Sequence, residues 1–421
     1  MMFGTPMHKI EDQLLEAAHF LHVPAQFVLF NSEIIAVFGA KETVNGRTHF
    51  VQQGQGLDLG HLRESHLAYI RVTRDEISAA EGTAQLQKLI KAPPVYSKPW
   101  LLLFAFTAGF AICPMGFSGS WLDALMAGLM STMLVSFQLW IFKGVLFIGI
   151  FEMTIVILNS FIARLLNSLG GHIFCYSAIS SAGVVLILPG FYVLQGSLEL
   201  ASKNFATGST KLVYAIIYAL SLGFCLTLGS DIAFGVDDPI RKYNYVLQGC
   251  YRDPSWEWYL KPVGPLWLFG LAPLFIFSLA SINGQFWRTR NILIEVVFGC
   301  AAFAANYAGN HYIYDRGDVV SAIGATVVGI LGTILGHWYP EDALPSMIPG
   351  VLVLLPAGLT VVGGLSENII GSQSTIMTWL SSGLRMVQVT IGITVGLFAS
   401  TCVVYAFTSL SKRNKNKSTA F

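Results

Sequence analysis

A short apolar phrase containing a proline occurs twice, as Ile187-Leu-Pro189-Gly-Phe-Tyr-Val-Leu-Gln-Gly196 and as Leu354-Leu-Pro356-Ala-Gly-Leu-Thr-Val-Val-Gly363. In each copy a glycine follows the proline after seven residues. Proline removes a backbone donor and clashes with the preceding turn, so a membrane helix that carries one frees carbonyls for neighbours, water or a ligand. Two interrupted helices at matching places in two halves are the mark of a transporter binding site. The alternative is that both phrases are lipid-facing Leu/Pro/Gly runs.

Carboxylates inside apolar segments are the second group with chemistry. A charge near the bilayer centre costs at least about 2.5–3.5 kcal/mol, so it normally faces a cavity or a partner. Glu152 is expected near the middle of a third span, Glu295 a turn inside a seventh, and Asp318 at the opening of an eighth. Asp318 stands at nearly the same offset from Glu152 as Pro356 from Pro189. A buried carboxylate with a raised pKa could carry a proton coupled to transport; the structural alternative pairs it with Lys143 or Arg164 to hold helices together. Ser177, Ser180 and Ser181 precede Pro189, Asn306 and Ser321 sit near the eighth span, and Ser366, Glu367 and Asn368 follow the ninth. Hydroxyls and amides of this kind suit a zwitterionic amino acid, or they let helix backbones approach.

These residues need membrane helices to place them. The chain is 54% hydrophobic and 12% charged with a mean hydropathy of +0.60, whereas soluble domains carry about 25% charge. The fold class is therefore a polytopic α-helical membrane protein. Apolar stretches near 100–116, 121–137, 145–166, 173–195, 206–234, 265–281, 291–309, 319–338, 345–365 and 378–407 predict about ten spans. The proline phrases fall in the fourth and ninth, an odd interval, so the expected body is two inverted five-helix repeats at 99–235 and 265–408 around an extracytoplasmic loop at 236–264. An even number of spans returns the basic tail, 409–421, to the side of the N-terminus. Lys91, Lys98, Lys143, Arg288 and Arg290 on that side agree with the positive-inside rule, and Arg241, Lys242, Arg252 and Lys261 in the loop oppose it.

Residues 1–98 hold a normal share of charge and predict a small cytoplasmic α+β head. Thr5-Pro6 reads as an N-cap and first helical position, runs at 26–30, 33–38 and 47–52 read as a strand meander, Asp58 as a helix cap, and Ser78-Ala-Ala-Glu81 as a capping box. Glu11, Asp12 and Glu16 interrupt the first residues, so no signal peptide is expected and both termini are placed in the cytoplasm.

Composition excludes several functions. A net charge of +1 gives no reason to expect nucleic acid. The six cysteines show no CxxC pair and read as small core residues, with Cys250 alone in a long polar loop. His8, Glu11, Asp12, His19 and His22 lack metal-ligand spacing and read as a solvated helix face, so no metal or cofactor is expected. Tyr314-Asp315 is not followed by GxGD, which argues against an intramembrane aspartyl protease. The expected partners are a small-molecule substrate, protons and the lipid bilayer, with homo-oligomerisation left open.

The phrases Gly4-Thr-Pro-Met-His8-Lys-Ile-Glu11, Gly56-Leu-Asp-Leu-Gly60, His172-Ile-Phe-Cys-Tyr-Ser177, Val184-Val-Leu-Ile-Leu-Pro-Gly190 and Gly196-Ser-Leu-Glu199-Leu resemble the threonine/serine exporter family. Asp318-Val-Val-Ser-Ala-Ile-Gly-Ala325 and Pro349-Gly-Val-Leu-Val-Leu-Leu-Pro356 resemble its second half. The closer similarity is to the fungal pheromone-regulated type, whose long polar N-terminal extension is not seen in this sequence. The resemblance implies a cytoplasmic head, ten spans and proton-linked export of small hydroxy amino acids; bacterial relatives split into two polypeptides are associated with dicarboxylate export. It favours Glu152, Pro189, Glu199, Asp318 and Pro356, with Glu199 either a gate residue or a helix-end charge. A channel and a membrane sensor are the remaining alternatives.

Overall fold

The computed structural model describes residues 2–30, 33–39, 47–52, 54, 56–141, 148–169, 173–236, 255–313, 316–355, 384, 387–404 and 406. The N-terminal part runs α1 (Met7–Phe20), β1 (Ala25–Phe30), β2 (Glu33–Phe38), β3 (Arg47–Gln52), α2 (Leu59–Thr73) and α3 (Ala79–Ile90). The strands form an antiparallel meander in the order β1-β2-β3. Asp58 caps α2 by accepting from the His61 N–H at 3.0 Å, and Ser78 with Glu81 closes the expected box on α3. The first cap differs from expectation: Pro6 itself is the N-cap of α1 and no side chain bonds there.

The body continues with α4 (Lys98–Phe117), α5 (Trp121–Ile141), α6 (Ile148–Leu169), α7 (Tyr176–Gly183), a 3₁₀ turn at Val185–Ile187, α8 (Gly190–Ala201) and α9 (Phe205–Val236). After the connection come α10 (Pro265–Ile282), α11 (Arg290–Tyr312), α12 (Gly317–Trp338), α13 (Pro340–Leu352) and α14 (Val387–Val404). Among the described residues, eight helices are long and apolar enough to cross a membrane, and the bent pair α7–α8 makes up to nine. The ninth expected span begins at α13; its remainder, with Pro356, Ser366, Glu367 and Asn368, lies outside the described residues, as do Lys143, Cys250, Asp315 and the basic tail.

The bundle has two distinguishable ends. At the head end, the Leu59 N–H donates to Asn283 O just past α10, Arg63 reaches Asp342 at the start of α13, and the Met7 N–H reaches Glu199 near the end of α8. At the far end, Ser120 bridges Pro262 and the Leu122 N–H donates to Tyr259 O. Aromatic side chains mark both levels: Trp100 and Trp287 meet edge to face at 4.9 Å near the head, and Trp121 and Trp267 at 5.4 Å on the far side. Such rings favour membrane–water boundaries, and the 20 residues of α4 between the levels span about 30 Å at 1.5 Å per residue. Leu266, Phe269, Leu293 and Val297 lie exposed between them, as a lipid-facing surface requires.

The core is continuous from body to head. Leu59 and Leu62 of α2 belong to the same buried cluster as Ala105, Val193, Phe275 and Leu354. The head therefore buries apolar surface against the membrane body as well as within itself.

Candidate functional site: a broken helix and its clamp

The break expected at Pro189 is present. Pro189 is the N-cap of α8, which leaves the axis of α7 at 54°. Two neighbours supply donors where α7 ends: Ser131 on α5 donates to Ala182 O at 3.3 Å, and Asn159 on α6 reaches Gly183 O at 3.5 Å. This is how a membrane protein keeps an interrupted helix satisfied. Ser131 and Asn159 were not singled out from the sequence; a polar residue on each of two apolar helices was the available signal.

The second phrase approaches the first. A methyl group on Gly190 would overlap Leu355 Cδ1 and lie 2.6 Å from Leu352 Cδ2, so the residue after Pro189 touches the described end of the second copy. Ser180 and Ser181 are fully buried on α7 one or two turns before the break. The Ser180 hydroxyl has no hydrogen-bond partner among the described residues. Ser197 on α8 is bonded to Thr394 of α14 at 2.8 Å, while the Ser321 hydroxyl donates back to Gly317 O within its own helix.

The carboxylates divide by environment. Glu152 sits a turn inside the head end of α6, nearer the end of its helix than the sequence suggested, and is half-buried. It accepts from Tyr218 at 2.5 Å and Gln138 at 3.2 Å. Arg164 is not its partner: that guanidinium lies over the Tyr176 ring at 3.6 Å and donates to Ser230. Asp318, at the far end of α12, is part-exposed and paired with Arg316 at 3.2 Å. Glu199 is completely buried, 2.6 Å from Lys211 Nζ. Lys211 also donates to Gln195 Oε1 at 3.0 Å, Gln195 donates to Gly4 O at 2.8 Å, and the Met7 N–H donates to Glu199 at 2.9 Å. Gly4 makes this approach with φ of +101°, a conformation that favours glycine, and a side chain there would meet Phe191.

A second tie lies beside this one. Asp342 accepts from Arg63 Nε and from Asn291 Nδ2, both at 2.6 Å. The N-terminal part thus holds α8, which follows Pro189, and α13, which leads into the second phrase. Head-side groups feel the burial: desolvation pushes His66 down to about 4, with Lys9 adding to the effect and Asp342 opposing it, and desolvation lowers His8 and Lys9.

Two further ties join helix starts. Asp123 at the start of α5 accepts from the Cys175 N–H at 2.9 Å, where α7 is about to begin, on the far side. Asn291 at the start of α11 donates to Asp342 at the start of α13, on the head side. Cys175, expected as a small core residue, is disulfide-bonded.

The family model described as "Putative threonine/serine exporter" matches residues 1–233. The chain belongs to this family. The pheromone-regulated membrane protein 10 of Debaryomyces hansenii is 35% identical over 97% of this chain and 41% of its own length. That of Candida albicans strain SC5314 is 32% identical over 97% of this chain and 37% of its own. A Schizosaccharomyces pombe protein described as uncharacterized is 33% identical over 97% of this chain and 54% of its own. The chain therefore spans roughly two fifths to a half of the curated relatives it matches. No solved structure matches. The family is described as an exporter family, and the eight long apolar helices among the described residues fit a multi-pass membrane protein.

Proposed function

We propose that this chain is a secondary transporter that exports small hydroxy amino acids of the threonine and serine type, coupled to protons, by alternating access between two inverted five-helix repeats. The observation that carries the reading is the meeting of Gly190 with Leu352 and Leu355, which brings the break at Pro189 against the described start of the second phrase. Support for inversion comes from the matched ties, Asp123 to Cys175 at the far end and Asn291 to Asp342 at the head end. Opposed half-helices of this kind allow one half to open as the other closes.

The chemistry near the break favours a zwitterion over a dicarboxylate. Ser180, Ser181, Ser131 and Asn159 are neutral hydrogen-bonding groups, and the buried cation Lys211 is already neutralised by Glu199. Arg164 is likewise engaged by Tyr176 and Ser230. Glu152, Ser321 and Pro356 complete the proposed pathway. A disulfide at Cys175 on the far side supports an oxidising exterior there and a cytoplasmic head, with both termini on the head side.

The test is efflux of preloaded radiolabelled threonine, serine and succinate from proteoliposomes, with and without an imposed pH gradient. Saturable, gradient-sensitive efflux of threonine or serine is expected. Efflux of succinate alone would replace the substrate class, and no flux from folded, oriented protein would remove the carrier reading.

A further inference from the structure

Glu295 lies on α11, one helical turn after Asn291, and is fully buried. Neither of its carboxylate oxygens has a hydrogen-bond partner among the described residues. α11 and α13 run side by side in the same direction. Asn291 bonds Asp342 at their starts, and two turns further on a methyl group on Gly350 would lie 3.7 Å from Phe298 Cβ. That register sets Glu295 against Ser346, whose hydroxyl is also fully buried and without a partner among the described residues.

An ionised carboxylate buried without a donor or a counter-charge is very costly, and such a group takes up a proton instead. The surroundings reinforce this. The cation nearest this end of α13, Arg63 from α2, is spent on Asp342 at 2.6 Å, one turn from Ser346. His66 of α2 is held neutral by burial, Tyr96 donates its hydroxyl to Gln285 O, and His337 on α12 is exposed. Metal cations need several converging oxygens; the register offers Glu295 one hydroxyl.

We infer that Glu295, with Ser346 beside it, is the proton-binding site of the transport cycle. The inference rests on the transporter reading above and deepens it: Glu152 and Asp318 have hydrogen-bond donors, whereas Glu295 has none among the described residues. The carboxyl is protonated while the head-side clamp of Arg63, Asp342 and Asn291 is closed. It loses its proton when α11 and α13 separate and water reaches the pair.

The experiment compares wild type, Glu295→Gln and Glu295→Asp in proteoliposomes, each checked for monodispersity. Two fluxes of threonine and serine are read: efflux driven by a pH gradient and exchange at equal pH. The Gln variant is expected to lose the gradient-driven component entirely and keep exchange, with Asp restoring part of the coupling. Undiminished gradient-driven efflux in Glu295→Gln would overturn the assignment and leave the transporter reading intact. If wild type moves neither solute, infrared difference spectra on a pH step decide the site separately. A protonated-carboxyl stretch present in wild type and missing in Glu295→Gln supports it, and the same band in both refutes it.

Discussion

Gly190, the residue after the first proline, lies directly beneath the side chain of Leu355, the residue before the second. The contact sets the break at Pro189 against the described start of the second phrase.

This contact leaves no room for a side chain at position 190. Gly190→Ala would press on Leu355 and Leu352, and overpacking of this kind costs about 1–3 kcal/mol. We expect Gly190→Ala to lower the thermal midpoint and slow flux, and Leu355→Ala in the same chain to recover much of both. A neutral Gly190→Ala would mean that the two phrases are not packed in the working protein.

The pair Glu199 and Lys211 is sealed from solvent at both ends. Removing one partner of a buried pair costs about 3–5 kcal/mol because the other charge stays buried, whereas replacing both with apolar groups is often neutral. Lys211→Met alone should therefore be strongly destabilised in a detergent melting assay, and Lys211→Met with Glu199→Leu much less so. Equal losses in single and double variants would show that the pair contributes no coupled stability.

His66 gives the head a pH dependence with a defined sign. Its folded-state value is held near 4 by burial and by Lys9, below the ordinary value of about 6.5. The unfolded chain therefore binds the extra proton first, so stability is retained above about 6.5 and falls as pH drops from there toward about 4. Protease cleavage of the head should accelerate between pH 7.5 and pH 5.5. His66→Gln, which keeps a polar partner for Gln13, should flatten that dependence.

Much of this architecture was legible before the structure because it rests on local signals. The strand runs, the Asp58 cap and the capping box at Ser78 are written in adjacent residues, and the break at Pro189 follows from proline's missing donor. The partners were not legible, because they are set by packing. Nothing near Glu199 in sequence names the Met7 N–H, 192 positions away. Nor does the Glu152 neighbourhood reveal that Tyr218, and not Arg164, would meet it. Glu295 could be seen as a carboxylate in an apolar helix, but that no described residue donates to it appears only once α13 is laid beside it.

Two of the ties that fasten the head run to different halves of the chain, through Gly4 and Met7 to α8 and through Arg63 to α13. Under the proposed alternating access it acts as a crossbar fixed to both leaves of a hinged door. Any swing that parts the leaves must either stretch the bar or tear off one fastening, so the bar's stiffness sets the tempo of the door. Substitutions deep in the head, far from any solute, should then be felt as changes in turnover.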